Sequence, residues 1–181
     1  MEFTPLSGVM MGTRSGSIDP SIITFASSHL HKTPDEVVHD LNKRSGLKAV
    51  GQGDGDMRSI EMRVTKGDKD AQLALDMFVY ILSKHIAAMI VACGGSIDAL
   101  IFTAGIGEHS ALVRKEVVSR LGSILNATID DETNLQNGRD SDGLISSGND
   151  KGLDKAIILV IPTDEEIGIF EECEVIMAKH F

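Results

Sequence analysis

The chain has 181 residues, 42% of them hydrophobic, which is enough for one good core or two small ones and excludes global disorder. Its 27 acidic and 17 basic residues give a net charge of −10, which disfavours nucleic acid as a partner because a phosphate backbone repels an acidic surface. The longest strictly apolar run, residues 86–93, is too short to cross a bilayer, so no membrane span is expected. The N-terminus lacks the pattern of a secretory signal, and the two widely separated cysteines favour a reducing, cytosol-like compartment.

The first third of the chain combines irregular segments with well-marked helix starts. Residues 1–17 have no clear period and predict a partly buried loop. An Asp-Pro pair opens a predicted helix over roughly 20–30, since it supplies an N-cap and a proline at the first helical position. The sequence TPDE at 33–36 is a capping box, and the helix behind it should end near Gly46.

Two contrasting segments follow. Residues 51–59, GQGDGDMRS, hold three glycines and two aspartates, so we predict a loop in which neither a helix nor a strand would last. Residues 68–93 are apolar on most sides at helical spacing, begin at an Asp N-cap and end before Gly94-Gly95. They predict the central buried helix.

The second half predicts two buried strands and the helices that follow them. The apolar run at 98–103 enters a glycine turn at 104–107, and a helix over 110–121 comes next. Residues 126–154 are polar, with a possible short strand at 144–146. A second apolar strand at 156–161 leads into a last helix. Strands without polar alternation indicate a parallel sheet covered on both faces, hence an α/β fold.

The loops at the carboxyl ends of these strands, 104–109 and 162–166, are the expected ligand crevice. Unobstructed backbone N–H groups in the first loop suit a phosphate or a flat purine. Spacing alone leaves open a tight turn that binds nothing. The adjacent carboxylates of the second loop suit Mg²⁺, but acidic residues in the first turn of a helix also simply complement its dipole.

Two further groups could contact phosphate or ribose. Arg14 lies among small residues, where its guanidinium could hold a phosphoryl group by two parallel hydrogen bonds. A solvated loop arginine is the alternative. Asp54, Asp56 and Arg58 could bind a ribose or phosphates, or could simply form turns and a surface ion pair.

Four segments, taken in order, resemble the acetate kinase family of the acetate and sugar kinase, Hsp70 and actin superfamily. They are FTPLSGVMMGTRSGSIDP at 3–20, GDMRSI at 55–60, DALIFTAGIGEHS at 98–110 and IPTDEE at 161–166. The resemblance covers essentially the whole chain. It implies a partial actin-like, ribonuclease H-like ATPase domain with a mostly parallel sheet covered by helices, lacking the N-terminal domain and the first strands.

The resemblance also implies an activity and roles for individual residues. The activity is reversible transfer of the γ-phosphoryl group of ATP to acetate, giving ADP and acetyl phosphate, by direct in-line displacement with Mg²⁺. Arg14 would hold the transferring group, and Glu165 would help bind the metal. The nucleotide side would be formed by Asp56, Met57, Arg58, Gly105, Ile106, Gly107 and His109.

The chain departs from the family pattern at several of these positions. The family usually has Asn where this chain has His109 and Asp164, so the nucleotide contact could become pH-sensitive and the metal site could be strengthened or disturbed. Ser59 replaces a usual acid, and Gly55 replaces a usual serine.

The largest departure is length, because family members are much longer than this chain. Residues 1–181 would be the C-terminal nucleotide-binding domain, incomplete at its N-terminal side. We therefore expect exposed apolar surface, a possible need for the missing half in trans, and, from the full-length family, a homodimer. A propionate- or butyrate-type kinase and a non-catalytic nucleotide-binding remnant remain alternatives at this point.

Overall fold

A parallel pair of strands organises the molecule. A computed structural model of the protein describes residues 3–147 and 156–180, apart from the side chains of residues 165, 179 and 180. Within those residues β1 is Ala99–Phe102 and β2 is Ile157–Val160, paired in parallel with Ala99 opposite Ile157. The predicted α/β class and both predicted strands are confirmed.

Side-chain capping explains where three of the helices before β1 begin, at Thr33, Asp56 and Asp68. The helices before β1 are α1 (Ser21–Leu30), α2 (Pro34–Lys43), α3 (Gly46–Val50), α4 (Met57–Thr65) and α5 (Lys69–Ala92). The predicted capping box of α2 is present, since the Glu36 N–H donates to Thr33 Oγ1 at 3.3 Å and the Thr33 N–H donates to Glu36 Oε2 at 2.8 Å.

The prediction of a loop over 51–59 is wrong at its end, because α4 already begins at Met57. Asp56 is the N-cap, and its carboxylate accepts the Arg58 backbone N–H at 2.9 Å, which starts a helix directly behind the glycines. The short helix α3 was not predicted either.

The long helix α5 is the centre of the packed region. It contacts α3, α4 and α7, and its buried face includes Leu75, Phe78 and Val79. By length and composition alone α5 could cross a membrane, but here it is the central helix of the fold. The prediction of a buried helix is wrong for one face of α5, which leaves Leu73, Met77, Tyr80 and Val91 exposed. Met89, near the end of the helix, is exposed as well.

The helices after β1 surround the end of the sheet. They are α6 (Ala104–His109), α7 (Ala111–Leu121), a 3-10 turn (Gly122–Ile124), α8 (Asp131–Leu135) and, after β2, α9 (Glu165–His180). The possible strand at 144–146 is instead a pair of isolated bridges, to Ile129 and to Leu159. The predicted glycine turn at 104–107 is the start of α6, a single short helix.

The two faces of the sheet differ in burial. Phe102, Ile158 and Val160 point into the core, which they share with side chains of α4, α5 and α7. On the opposite face, Ile101 is 49% exposed and Ile157 is 45% exposed. The prediction of a sheet covered on both faces is therefore wrong for the described residues, whereas the expectation of exposed apolar surface is confirmed.

Candidate functional site

A pocket of about 400 Å³ lies between the start of α4 and α6, beside the carboxyl end of β1. Two sequence segments that are far apart in the chain form its walls. Its lining residues are Gly55, Asp56, Met57, Arg58, Glu61, Gly105, Ile106, His109 and Ser110. The pocket thus combines apolar side chains, exposed glycine backbone and both signs of charge, which suits a ligand with a flat apolar part and polar substituents.

The first wall is stiffened by an ion pair. Arg58 donates from Nε to Asp56 Oδ1 at 3.2 Å and from Nη2 to Asp56 Oδ2 at 2.7 Å. These hydrogen bonds from the Arg58 side chain are the main reason why the pKa of Asp56 falls to about 2. Met57, between them, is buried in the core, so this wall is anchored from behind.

Close backbone contact joins this wall to the segment that carries Arg14. Gly55 has a φ of +84°, and a Cβ added there would lie 2.5 Å from the Gly12 carbonyl oxygen. Gly12 is itself fixed on α3, because its carbonyl accepts the Lys48 N–H at 2.8 Å. The glycines at 12 and 55 therefore let two chain segments pass at a distance that side chains would prevent.

Arg14 lies in this neighbouring loop rather than in the pocket wall. Its side chain is half-buried, with Nη1 3.7 Å from Met11 Sδ. The Met11 N–H donates to the Arg14 carbonyl at 3.0 Å, which holds the two ends of this short segment together. Arg14 is not one of the described residues that line the pocket.

The second wall is the short helix α6. Its first residue, Ala104, has a φ of +58°, and its N-cap Thr103 makes no side-chain capping bond. A Cβ added at Gly105 would meet nothing within 4 Å, so this backbone lies open to the pocket. His109 closes the helix, because its Nδ1 lies 2.9 Å from the Gly105 carbonyl oxygen, and a carbonyl can only accept, so Nδ1 carries the proton.

A polar contact ties the two walls together. The Ser110 hydroxyl donates to a carboxylate oxygen of Glu61 on α4, and the same Ser110 oxygen accepts the Val113 N–H at 3.0 Å as the N-cap of α7. Glu61 and Ser110 both line the pocket, so the distance between its walls is fixed by this contact.

A second carboxylate ties α6 to the loop after β2. Glu108 Oε1 accepts the Thr163 N–H at 2.9 Å and the Thr163 hydroxyl at 3.0 Å. The hydrogen bond from the Thr163 backbone is the largest cause of a lowered pKa at Glu108. The ends of β1 and β2 are thereby joined at one edge of the sheet.

The structure brings six of the eight predicted nucleotide and phosphoryl contacts into one pocket: Asp56, Met57, Arg58, Gly105, Ile106 and His109. The remaining two are Arg14 and Gly107. Gly107 lies behind the wall, where a Cβ would sit 3.4 Å from the backbone of Phe102. Whether any of these eight contacts a ligand stays a prediction.

The structure describes only part of the predicted metal site. The side chain of Glu165 lies outside the described residues, while Asp164 is exposed and accepts the Ile167 N–H at 3.0 Å. No group of three His, Cys, Asp or Glu side chains within 3–147 and 156–180 could hold a metal by itself. Mg²⁺ commonly uses only one or two protein carboxylates and completes its shell with water and phosphate oxygens, so the donors at 164–165 fit it chemically.

Sequence reasoning missed three groups that shape the pocket: Glu61, Glu108 and Arg114. The Arg114 position carried a signal, because it falls on the same helical face as Val113, Val117 and Leu121, where a charged residue is unexpected. Glu61 and Glu108 carried none, since their partners Ser110 and Thr163 lie about 50 residues away in the chain.

Comparison with known proteins places the chain in a family. Residues 1–171 match the model of the acetokinase family. Acetate kinase 1 of Neisseria meningitidis serogroup A is 46% identical over 169 residues, covering 93% of this chain and 41% of that relative.

Solved structures give the same result. A propionate kinase from Francisella tularensis is 39% identical with a TM-score of 0.79, covering 90% of this chain and 39% of that one. The acetate kinase of Porphyromonas gingivalis is 33% identical with a TM-score of 0.82, covering 96% of this chain and 42% of that one.

Sequence and fold therefore agree over nearly the whole chain, which spans only about two fifths of the length of these relatives. On this evidence the chain belongs to the acetokinase family and corresponds to a part of its longer members.

Proposed function

We propose that this chain is the nucleotide-binding part of an acetate kinase and takes part in reversible phosphoryl transfer between ATP and acetate. The observation that carries the proposal is the pocket in which the segments at 55–58 and 105–110 meet. Family membership supports a kinase, and an apolar, glycine-lined pocket beside a sheet end suits the purine and ribose of ATP or ADP.

Each pocket group has a chemical role in this proposal. Ile106 and the open backbone at Gly105 offer a flat surface for the purine, and His109 borders it. Asp56 accepts hydrogen bonds from ribose hydroxyls, while Arg58, fixed by its ion pair, adds a cation near the phosphates. Gly107 supports this wall from behind by its packing on Phe102.

The reacting phosphoryl group requires cations beyond the pocket. Arg14 would hold it by two parallel hydrogen bonds and offset its charge in the transition state. Glu165, with Asp164 beside it, would hold Mg²⁺, which when bound supplies charge to the phosphate oxygens. Positioning and electrostatics then account for most of the catalysis in an in-line displacement.

The remaining groups would come from sequence outside this chain. Because the chain covers 41% of its relative from Neisseria meningitidis, we propose that 1–181 is a C-terminal nucleotide-binding domain that needs the N-terminal portion for turnover. We further propose a cytosolic, reducing location, without a nucleic-acid or membrane partner, and a homodimer for the full-length protein.

The proposal is tested first by calorimetry of the chain with MgADP and MgATP. We expect both nucleotides to bind and to compete with each other for the same site. A folded sample that binds neither would overturn the proposal. The second step adds the N-terminal portion of a full-length relative and measures acetyl phosphate formed from acetate and ATP.

Arg14→Ala should lower that turnover by about 10³-fold, the range in which a transition-state arginine contributes. Arg44→Ala removes a mostly exposed arginine whose partner is Asp40 and should leave it unchanged, which makes it the matched control. Equal turnover of the Arg14 and Arg44 variants would show that Arg14 does not act on the phosphoryl group.

A propionate kinase is the second candidate, because one of the solved relatives, at 39% identity, is a propionate kinase. The relative kcat/KM for acetate and propionate in the complemented assay separates the two. A higher value for propionate would make this the better description of the acyl acceptor.

A further inference from the structure

Arg114 is the largest side chain that the described fold buries completely. Its guanidinium uses all five of its N–H donors. Nε donates to Asn134 Oδ1 at 2.7 Å, Nη1 to the carbonyls of Gly107 and Glu108 at 2.8 and 2.9 Å, and Nη2 to the Asn134 carbonyl and Asn137 Oδ1 at 2.6 and 2.7 Å. We call the planar guanidinium of Arg114 with these five hydrogen bonds the Arg114 fork. Because all of its donors are bonded, it fixes the geometry of every group that it contacts.

None of these five acceptors is a carboxylate, which is unusual for a buried arginine. Burial lowers the pKa of Arg114, and the nearby charge of Glu61 partly opposes that shift. Burying a cation on neutral acceptors costs free energy, so the arrangement needs a reason beyond filling space, where an apolar residue would serve.

The reason lies in which carbonyls Arg114 holds. Helix α6 has six residues and no side-chain N-cap, so it is too short to be stable alone. Gly107 and Glu108 have carbonyls that no later N–H of α6 can reach, and Arg114 Nη1 binds both. These two residues lie between Ile106 and His109, which line the pocket.

The other side of the fork reaches away from the pocket. Asn134 belongs to α8, and Asn137 follows it with a φ of +56°. The Asn134 side chain also donates to the Ala111 carbonyl at 2.9 Å, so the α8 segment is hydrogen-bonded to the start of α7 as well as to the guanidinium. Asn137 is not among the residues that line the pocket.

We propose that Arg114 is a positioning residue for nucleotide binding: its fork fixes α6 in the shape that forms the second pocket wall, and the segment 134–137 sets the orientation of that fork. This inference rests on the proposed function, since the ligand is the nucleotide. The fork geometry matters, rather than the positive charge alone. A change at Asn137, outside the pocket, therefore weakens nucleotide binding.

The experiment measures the dissociation constant for MgADP by calorimetry, at a temperature where circular dichroism shows every variant folded. Arg114→Lys keeps the charge but loses the fork. Asn137→Gly removes one acceptor without strain at a positive φ, and Asn137→Asp keeps an acceptor at the same place. Arg120→Lys, on the exposed face of the same helix, is the matched control.

We expect Arg114→Lys and Asn137→Gly to raise the dissociation constant at least about fivefold, somewhat less than the roughly tenfold or greater effect of one hydrogen bond to a charged group. Asn137→Asp and Arg120→Lys should stay near the wild-type value. A purely structural role would lower the melting temperature of both test variants and leave their affinity unchanged, which would overturn the inference.

Should Arg114→Lys fail to fold, the comparison of Asn137→Gly with Asn137→Asp decides the question alone. If the wild-type chain does not bind MgADP, the proposed function fails and this inference fails with it; if the wild type binds and the variants match it, only this inference fails.

Discussion

Two regions of the same small sheet are built in opposite ways. At its carboxyl end the side chains are joined by hydrogen bonds between segments that lie far apart in sequence, as in Glu61 with Ser110 and Glu108 with Thr163. Every buried side-chain polar atom in the described residues has a partner. We call this region the pocket end.

Across the outer face of the sheet, defined here by Ile101 and Ile157, apolar side chains are half exposed instead. Helix α9 continues the same character, since all of its described side chains are exposed. Its exposed apolar residues include Ile167, Phe170 and Val175. Apolar groups left in water contribute little to stability and favour association with another surface.

The difference separates two questions about function. The walls of the pocket are linked within this chain, so nucleotide binding can be tested on the chain by itself. The outer face gains little stability from its half-exposed apolar side chains until something covers it. The relatives are much longer than this chain. We therefore expect binding without the rest of a full-length protein, and turnover only with it.

Neighbouring isoleucines of β2 give the sharpest test of this comparison. Ile158 is fully buried and Ile157 is 45% exposed, although both belong to one strand. Ile158→Ala should lower the free energy of unfolding by about 2–5 kcal/mol, because it removes buried methyl groups and leaves a cavity. Ile157→Ala should cost about 1 kcal/mol or less, since much of its surface is already in water. Urea denaturation measures both.

Equal losses for the two variants would mean that the outer face is covered in solution, by self-association or otherwise. Sedimentation of the Ile157→Ala variant separates these cases. A shift toward monomer relative to the wild type would identify a second copy of the chain as the cover.

The close approach of Gly12 and Gly55 gives the next largest effect. Gly55→Ala places a methyl group against the Gly12 carbonyl at a φ of +84°. Gly67 has a φ of +80° with nothing within 4 Å, so Gly67→Ala carries only the cost of the backbone conformation, about 1–2 kcal/mol. We expect Gly55→Ala to destabilise by about 1–3 kcal/mol more than this control, because the clash is with backbone that cannot move aside.

The same pair also tests the pocket end. Gly55 lines the pocket, so Gly55→Ala should weaken binding of MgADP, while Gly67→Ala should not. Similar stability and similar affinity for both variants would show that the contact with Gly12 does not constrain this wall.

The sequence predicted those elements whose signals are local. Apolar runs marked β1 and β2, and the capping box at Thr33 marked α2, because each depends on residues within one short segment. Helix α3 was missed because it has five residues and begins at Gly46, which has a φ of +65° fixed by packing against the loop at 11–14. Propensity cannot reveal a helix that distant contacts impose.

The candidate site divides in the same way. The glycine-rich segments drew attention to six pocket residues, and their meeting in one pocket depends on how α4 and α7 each pack against α5. Glu61 and Glu108 act through partners elsewhere in the chain, which no pattern in one sequence reveals. The apolar pattern of α7 marks Arg114 as unusual but does not reveal its partners. The exposure of Ile101 and Ile157 likewise depends on what packs against that face of the sheet, since the apolar pattern of β2 is the same whether its outer face is covered or open.

The smallest expected effect concerns the ion pair on the first pocket wall. In the folded protein the pKa of Asp56 is about 2, below its ordinary value of 3.8, chiefly because Arg58 donates to the carboxylate. A lowered folded-state pKa stabilises the fold above the ordinary value, and this stabilisation is lost as the pH falls from about 4 through about 2. Stability measured by urea denaturation should therefore decline over that range, and Asp56→Asn should decline less steeply while keeping an N-cap residue for α4.

Arg58→Gln provides the reciprocal variant, because it removes the donor and should return the pKa of Asp56 toward its ordinary value. An NMR titration of the Asp56 side-chain carboxyl reports this directly, and a wild-type midpoint near 3.8 would contradict the ion pair. The side chains are 82% and 41% exposed at Arg58 and Asp56, so added salt should weaken their interaction. Arg114 itself is completely buried, so its hydrogen bonds to the carbonyls of Gly107 and Glu108 should be less sensitive to salt. Added salt should therefore loosen the first wall of the pocket before the second.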